Sequence, residues 1–287
     1  MPGGVGRRFI PLAFCLFLFA QGSPAQSQVL VYPAAGNLRA EQGTIEMVFR
    51  FEEEPDPGGA RALHYFPFFF ISVDGEVQRR VSFTYQTIWS TNHMHFFFSS
   101  LGPLLGTWVG NPYVTTVEQG QVVKPGVNVP LWLPRMHKGD WHHVAITWTH
   151  GLEKPVVAVY LDGSQAIRSL ELPAVWWADM EATTLELMSA PYHDDIAVDE
   201  LRISDMARSP LQITNSVAQG ALARDEHTLL LDHFDRIESN AAARAEQTVA
   251  EQIAGYHGER GGTLPSKCYE LVDGKFGKAL RLTAVPR

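Results

Sequence analysis

The chain has 287 residues, a formal net charge of −8 and only two cysteines. An acidic surface repels phosphate backbones, so the composition argues against nucleic acid as a partner. Cys15 falls in the leader described next, which leaves Cys268 alone in the mature chain. No internal disulfide is therefore expected, and stability must come from packing.

The first residues have the pattern of a secretory signal. Two arginines precede the apolar run 9–20, and small residues end the segment at Ala25. We place the signal peptide at 1–25. The run is roughly a dozen residues, whereas a bilayer crossing needs about 20, so we expect no transmembrane segment after signal cleavage. The predicted location is the extracellular space, the periplasm or the cell surface.

Residues 38–203 are dominated by short β-branched and aromatic runs separated by Gly, Pro, Asp and Asn. This spacing is typical of an antiparallel sandwich. In the run 142–148 alternate residues share a face, and the face with Val144, Ile146 and Trp148 is the more apolar. The predicted strands are 44–51, 63–73, 81–85, 93–98, 142–149, 156–161, 166–172, 184–188 and 196–203.

Turn residues support the same architecture. Asp162-Gly163 lies between the predicted strands 156–161 and 166–172 and supplies the positive-φ position that a hairpin needs. The Gly- and Pro-rich segment 103–134 predicts a long surface excursion that carries short strands, a common place for binding loops.

The sequence pattern changes after residue 203. Ser209 and Pro210 predict a helix start, with Ser209 as the N-cap and a helix that reaches about residue 218. A second helical stretch is predicted at 240–254 from its Ala, Glu and Gln content. Strand-like pieces lie at 228–234 and 278–283.

Four short segments stand out for their order and spacing. They are GTIEMVF at 43–49, GDWHHVAITW at 139–148, YLDG at 160–163 and VDELRIS at 198–204. In that order they resemble the concanavalin A-like, laminin-G-like jelly-roll superfamily. The resemblance implies an all-β fold, an antiparallel β-sandwich of the jelly-roll kind, followed by a C-terminal extension with short helices and strands.

The same residues have architectural roles that follow from strand geometry. We expect Gly43 to allow a tight turn into a buried strand, and Trp141 and Trp148 to fill core positions. Leu201 and Ile203 alternate toward the interior. The motifs therefore predict a scaffold and do not identify a ligand.

We divide the mature chain into a sandwich at 27–208 and a C-terminal extension at 209–287. Within the extension, 229–235 and 274–282 resemble the opening strands of a further sandwich, although a full repeat would need on the order of 150 more residues. These strands either belong to a shortened second sandwich or dock on the first one and complete its sheet. Docking is favoured because unpaired apolar strands promote aggregation.

Motifs for catalysis are absent from the sequence. A glycoside hydrolase needs two carboxylates a few ångströms apart, and no Glu-x-Asp-x-Glu strand occurs. Gly-x-Ser-x-Gly is missing as well. Hydrolase activity is therefore the least favoured hypothesis.

Loop residues are the candidates for binding. Sugar rings stack on aromatic side chains, and the resemblance also implies calcium at the sandwich rim, where several carboxylates converge. The aromatic candidates are Trp176, Trp177, Tyr192 and Trp108. The candidate calcium ligands are Asp194, Asp195 and Asp199.

The sequence thus predicts an exported, non-catalytic binding or adhesion module that recognises a glycan or a protein surface through rim loops. Apart from calcium, no cofactor is expected. The alternative is a structural or interaction domain whose C-terminal strands pair with another chain, which would produce oligomers.

Overall fold

The computed structural model describes residues 30–52, 54, 64–73, 76–88, 91–99, 104–109, 116–118, 121–124, 136–150, 155–171, 183–187, 196–236, 250–253, 262–265 and 269–282. The strands up to residue 204 are β1 (Leu30–Pro33), β2 (Gln42–Phe51), β3 (His64–Val73), β4 (Glu76–Ile88), β5 (Thr91–Ser99), β6 (Leu104–Val109), β7 (Thr116–Glu118), β8 (Gln121–Lys124), β9 (Trp141–His150), β10 (Pro155–Leu161), β11 (Ser164–Glu171), β12 (Thr183–Leu187) and β13 (Ile196–Ser204). The remaining elements are α1 (Pro210–Gln219), β14 (Thr228–Asp232), β15 (Ala250–Ile253), β16 (Gly262–Pro265), β17 (Tyr269–Asp273) and β18 (Lys278–Leu282).

Two large antiparallel sheets form the sandwich. The first sheet has the strand order β15-β16-β1-β12-β3-β4-β5-β6. The second has the order β11-β10-β9-β2-β13-β18-β17, and β14 also pairs with β13. The predicted fold class, an antiparallel β-sandwich with a further helix and strands after it, is confirmed.

The nine strands predicted between residues 44 and 203 are present as β2–β5 and β9–β13. The largest difference is in β4, which is predicted at 81–85 and spans Glu76–Ile88. Segment 103–134 contains the short strands β6, β7 and β8, as predicted.

The central strands of the second sheet are covered on both faces. Ile45 of β2 lies opposite Ile146 of β9, and both are buried on the inner face, toward the first sheet. Residues directly opposite one another in an antiparallel ladder share a face. On the outer face, Ala145 and Tyr160 belong to a buried cluster with Ile213 of α1. The helix therefore acts as a third layer over part of the second sheet.

Two tryptophans of β9 face opposite ways. Trp148 is buried, as predicted, and its Nε1 donates to the carbonyl of Arg39 at 2.9 Å. The prediction for Trp141 is wrong: its side chain is half-buried on the outer face, where the Arg50 guanidinium lies 4.6 Å from the ring centroid. The two residues are an odd number apart, and alternation sends them to different faces.

Gly43 has a different role from the predicted one. It lies within β2 opposite Trp148, and a Cβ at this position would be 2.2 Å from Cζ2 of the indole. The position requires glycine because the indole occupies the space of a side chain. A turn into the strand is not the reason.

The strands of the C-terminal extension join the first sandwich. β14 pairs with residues 201–204 of β13, and β18 pairs with residues 197 and 198 of the same strand. β16 pairs with β1 in the other sheet. Of the two alternatives for these strands, docking on the existing sheets is the one that the structure has, whereas the boundary at residue 208 stays a prediction.

The first helix prediction is confirmed, and the second is wrong where the structure describes it. Ser209 caps α1: its Oγ accepts the Gln212 N–H at 3.4 Å, and Gln212 Oε1 accepts the Ser209 N–H at 2.8 Å. Within the predicted helix 240–254, Ala250–Ile253 forms β15 and pairs with β16. Pairing at a sheet edge overrides helix propensity there. In the described ranges, no helix has the length and apolar character required to cross a membrane.

Candidate functional site

Most of the predicted site residues lie outside the described residues: Trp176, Trp177, Tyr192, Asp194 and Asp195. For Trp108 the structure describes the backbone, which lies in β6 opposite His95 of β5. Asp199 is described in full. The geometry therefore positions the ends of the predicted loops and one of the predicted calcium ligands.

The two candidate loops start from opposite ends of one strand. The connection 172–182 runs from β11 of the second sheet to the first residue of β12 in the first sheet. The connection 188–195 leaves the last residue of β12 and returns to β13. At about 3.4 Å per residue, the two ends of β12 are about 14 Å apart. The tryptophan pair and Tyr192 are therefore carried by separately anchored loops.

The strand register places Trp108 relative to the two ends of β12. A row of paired residues crosses the first sheet from β12 to β6: Leu187, Phe69, Phe83, Phe96 and Thr107. Trp108 follows Thr107 by one position, in the direction in which the chain leaves β12. Trp108 therefore lies toward the same edge of the sheet as the last residue of β12, with three strands between β12 and β6.

One carboxylate oxygen of Asp199 is used in hydrogen bonds that stabilise the fold. Asp199 lies at an irregularity of β13 between Val198 and Glu200 and is completely buried. Its Oδ2 accepts the backbone N–H groups of Lys275 and Phe276 at 2.5 and 2.7 Å. Burial raises the pKa of Asp199, and these two N–H groups offset the effect only in part. Its Oδ1 is buried with no hydrogen-bond partner in the described part of the chain.

Asp235 binds the same turn as Asp199. Its Oδ1 accepts the Lys278 N–H at 2.8 Å, and a Cβ on Gly277 would lie 2.1 Å from that oxygen. Together the two aspartates bind both ends of the turn between β17 and β18. We call Asp199, Glu200, Asp232, His233 and Asp235 the acidic cluster.

Asp232 links the two sheets within this cluster. Its Oδ2 accepts the Tyr32 hydroxyl at 2.8 Å, and its Oδ1 accepts the Phe234 N–H at 2.9 Å. Tyr32 belongs to β1 of the first sheet and Asp232 to β14 of the second. Burial raises the pKa of Asp232 to about 6. The pKa of Tyr32 is also raised, by burial and by the adjacent carboxylate.

His233 is paired with Glu200, the third buried acid of the cluster. Its Nδ1 lies 2.8 Å from Oε2 of Glu200, which is almost fully buried. The hydrogen bond to Glu200 raises the pKa of His233. Burial also raises the pKa of Glu200, although His233 partly counteracts that effect.

A second set of buried charges lies on the outer face of the second sheet. Glu46 of β2 is fully buried, and its Oε2 accepts Nε and Nη2 of Arg202 at 2.8 and 2.5 Å. Arg208 Nε is 3.3 Å from the same oxygen, and His143 Nε2 is 3.4 Å from Oε1. Burial alone would raise the pKa of Glu46, but the neighbouring His143 and Arg202 outweigh it and hold that pKa below its ordinary value.

These charges fasten residues 205–227, which we call the strap, onto the sheet. Arg202 donates to Ser216 Oγ in α1 at 2.6 Å and to the carbonyl of Ala223 at 2.7 Å. Arg208 donates to Asp225 Oδ1 at 2.9 Å. We call Glu46, His143, Arg202, Arg208 and Asp225 the strap network. Its charges connect sheet and strap, and its role is structural.

His142 and Asp162 form a polar pair at the β10–β11 hairpin. Asp162 and Gly163 have φ of 49° and 79°, which confirms the predicted turn. His142 Nδ1 lies 2.9 Å from Asp162 Oδ2. Its Nε2 is buried with no hydrogen-bond partner in the described part of the chain, so the pair lacks the nucleophile of a catalytic triad there. Across the described residues, no group of three or more His, Cys, Asp or Glu could hold a metal ion.

The strap network and the cross-sheet hydrogen bond were not predicted. One signal was available: Glu46, Arg202 and Asp232 are charged residues inside strand patterns, and such residues are rarely buried unless paired. Their partners are 156 and 200 residues away in sequence. No local pattern identifies such partners.

No protein-family model matches the chain, and no curated protein is significantly similar to it. Similar solved structures include domain 4 of AbnA, a GH43 extracellular arabinanase from Geobacillus stearothermophilus, in complex with arabinotriose; the identity is 18%, the TM-score is 0.37, and the match covers 63% of this chain and 68% of that one. A candidate carbohydrate-binding protein from Bacteroides ovatus has 14% identity and a TM-score of 0.44, with coverage of 91% and 59%.

A third similar structure is the binding domain of botulinum neurotoxin DC in complex with rat synaptotagmin II. It has 12% identity and a TM-score of 0.37, and the match covers 69% of this chain and 38% of the neurotoxin chain. The chain thus spans less than two thirds of the Bacteroides and neurotoxin chains. At these TM-scores the fold assignment rests on the two sheets described above.

Proposed function

We propose that this protein is an exported, non-catalytic binding module of the laminin-G-like kind, which recognises a glycan or a protein surface through loops at the sandwich rim. The described buried charges serve the fold: Glu46 and Arg202 hold the strap, and Asp232 joins the sheets. Of the residues suited to recognition, Trp176, Trp177 and Tyr192 fall in sequence on connections between the sheets, whereas Trp108, predicted in a loop, lies in strand β6. The proposal rests on this separation between buried charges that stabilise the fold and the candidate binding residues.

The two loops are attached to opposite ends of β12, so each is a separate candidate binding site. Trp176 and Trp177 precede β12 in the sequence, whereas Tyr192 follows it. A sugar ring can stack its apolar face on the apolar face of an aromatic side chain. Substitutions in each loop therefore test the two candidate sites separately.

A glycan array probed with the mature chain tests this function. We expect binding to be lost when Trp176 and Trp177 are both replaced by Ala and to be retained in Tyr192→Ala, or the reverse pattern if the second loop is the site. The matched control is Trp141→Ala, which removes a half-buried tryptophan from the outer face. Equal loss in all three variants, or no glycan binding by the parent chain, would contradict carbohydrate recognition through these loops.

Calcium is part of the same proposal. Asp199 Oδ1 is a buried carboxylate oxygen with no described partner, which suits a hard cation, and Asp194 and Asp195 precede β13 closely enough in sequence to contribute further oxygens. Added CaCl2 should raise the melting temperature of the parent chain and not that of an Asp194→Asn, Asp195→Asn double variant. An identical response of both proteins to calcium would contradict these ligands.

An interaction role through the C-terminal strands is the second candidate. β17 is the terminal strand in the order of the second sheet, and Leu271 on it is 37% exposed. Because β14 and β18 belong to the sandwich, deletion of the extension would unfold the protein. Leu271→Lys is the better test: sedimentation velocity should show a concentration-dependent oligomer in the parent chain and a monomer in the variant.

Export is tested by the mature N-terminus. Expression with residues 1–25 in a host with a general secretory pathway should give a protein that begins at residue 26 outside the cytoplasm. A full-length protein that stays in the cytoplasm would contradict the signal peptide.

A further inference from the structure

We propose that the burial of Asp232 against Tyr32 makes the docking of the C-terminal strand β14 on the opposite sheet firmer at acidic pH than at neutral pH, and we call this junction the fastening. This inference concerns the extension and not the rim loops. It holds whether or not the protein binds a glycan.

The fastening joins two layers of the sandwich through a single hydrogen bond. The Tyr32 hydroxyl donates to Oδ2 of Asp232 at 2.8 Å across 200 residues of sequence. Tyr32 is 0% exposed and Asp232 is 3% exposed, so water does not compete for the bond. β14 is otherwise paired with β13 of its own sheet. The bond therefore ties the extension to the first strand of the sandwich.

The second carboxylate oxygen holds the end of β14. Oδ1 of Asp232 accepts the N–H of Phe234, which has a φ of 54° although it is not glycine. Such a conformation is unfavourable for a bulky residue and persists only where the surroundings hold it. The Phe234 side chain is buried. One carboxyl group thus fixes both the cross-sheet contact and the exit of the chain.

Protonation of Asp232 leaves it with a hydrogen bond to each partner, although the one to Tyr32 reverses its direction. A phenol hydroxyl both donates and accepts, so a neutral carboxylic acid can donate to Tyr32 where the carboxylate accepted. The carbonyl oxygen of the acid still accepts from Phe234. What changes is the charge. A carboxylate costs far more free energy to bury than the neutral acid does. The neutral form is therefore the better fit to this site.

The charged neighbours do not reverse this preference. In the described part of the chain, Tyr32 faces Asp232 from β1, Glu200 acts on it from β13, and His233 follows it directly. Glu200 is acidic and favours protonation of Asp232, whereas His233 opposes it but is itself bound to Glu200. Among the described residues no arginine acts on Asp232, in contrast to Glu46 in the strap network.

The sign of the pH dependence follows from linkage. The pKa of Asp232 rises from its ordinary value of 3.8 to about 6 in the folded chain, chiefly through burial. A group with a raised pKa takes up a proton on folding, so its stabilisation is complete below about pH 4 and is lost as the pH rises through about 6. Between pH 8 and pH 5 this corresponds to roughly a tenfold rise in the folding constant.

Urea unfolding of the full mature chain at pH 5 and pH 8 tests the fastening. Asp232→Asn imitates the neutral acid, since its amide donates to Tyr32 and its carbonyl accepts from Phe234. We expect the ratio of the folding constants, variant over parent, to be about tenfold larger at pH 8 than at pH 5. Glu226→Gln, an exposed acid in the same extension, is the matched control and should give the same ratio at both pH values.

Tyr32→Phe separates this device from a purely structural contact. The Tyr32 hydroxyl donates a hydrogen bond to Asp232, and this bond is stronger when the carboxyl is ionised. The variant should therefore lose more stability at pH 8 than at pH 5. Equal losses at the two pH values in Tyr32→Phe, or a pH-independent ratio for Asp232→Asn, would overturn the proposal. Neither result would bear on glycan binding.

Discussion

The strap network and the acidic cluster both lie on the second sheet, and both contain carboxylates that are almost fully buried. In the strap network, Glu46 meets Arg202 and Arg208, and its pKa is held below the ordinary value. In the acidic cluster, burial outweighs the available donors and raises the pKa of Asp199, Glu200 and Asp232. Burial is common to the two regions, and only the neighbouring charge differs.

The difference shows that buried acids in one sheet can respond to pH in opposite directions. A carboxyl with a lowered pKa stabilises the fold above its ordinary pKa and ceases to do so as the pH falls. A carboxyl with a raised pKa behaves in the reverse way. Acid should therefore weaken the attachment of the strap while it strengthens the docking of the extension. Three substitutions test this contrast, in order of expected effect.

Arg202→Met should produce the largest loss. It removes the main partner of the fully buried Glu46 and the bonds to Ser216 and Ala223. A buried charge that loses its partner typically costs about 3–5 kcal/mol of unfolding free energy. Urea unfolding at pH 7 measures it. Arg281→Met breaks an exposed pair with Glu270 and should cost less than about 1 kcal/mol; equal losses would contradict the assigned role.

Glu46→Gln should destabilise the protein by about 2–3 kcal/mol at pH 7, because charged hydrogen bonds to Arg202 are replaced by weaker ones. Since the pKa of Glu46 is lowered, the difference from the parent chain should shrink as the pH falls below its ordinary value of 4.5. Asp232→Asn changes stability with the opposite dependence on pH. If the unfolding free energies of the two variants, relative to the parent chain, changed with pH in the same direction, the proposed difference between the two regions would be wrong.

Gly277→Ala tests how closely the turn between β17 and β18 is held. The new methyl group would lie 2.1 Å from Asp235 Oδ1, so the carboxylate must move and we expect a loss of about 1–2 kcal/mol. A double-mutant cycle with Asp235→Ala measures the coupling. The cost of the alanine should be smaller when Asp235 is absent. An unchanged cost would show that the carboxylate is not the obstacle.

Local patterns predicted the elements of this fold well. The nine strands between residues 44 and 203, the Asp162-Gly163 hairpin and the Ser209 cap each depend on neighbours within a few residues. The failures have two causes. Trp141 was assigned to the core together with Trp148, although alternation along β9 places the two on opposite faces. Residues 250–253 have helical composition yet pair with β16, so a segment outside the local pattern decided the outcome.

The candidate site was less predictable than the scaffold for the second of these reasons. Asp199 was chosen as a metal ligand, but one of its oxygens binds a turn that is 76 residues away. The Trp176 and Tyr192 loops were treated as one rim, but they leave opposite ends of β12. Strand pairing across the sandwich sets these relationships, and a single sequence contains no local signal for it.

The sequence by itself determined where the strands, the hairpin and the first helix form, because alternation, turn residues and caps act over a few positions. Only the tertiary structure decided which charges are buried together. Glu46 and Asp232 are both acidic residues in apolar strands, and nothing local distinguishes them. Their opposite pKa shifts follow from what folding places around them: His143 and Arg202 outweigh burial at Glu46, whereas burial outweighs the Tyr32 hydrogen bond at Asp232.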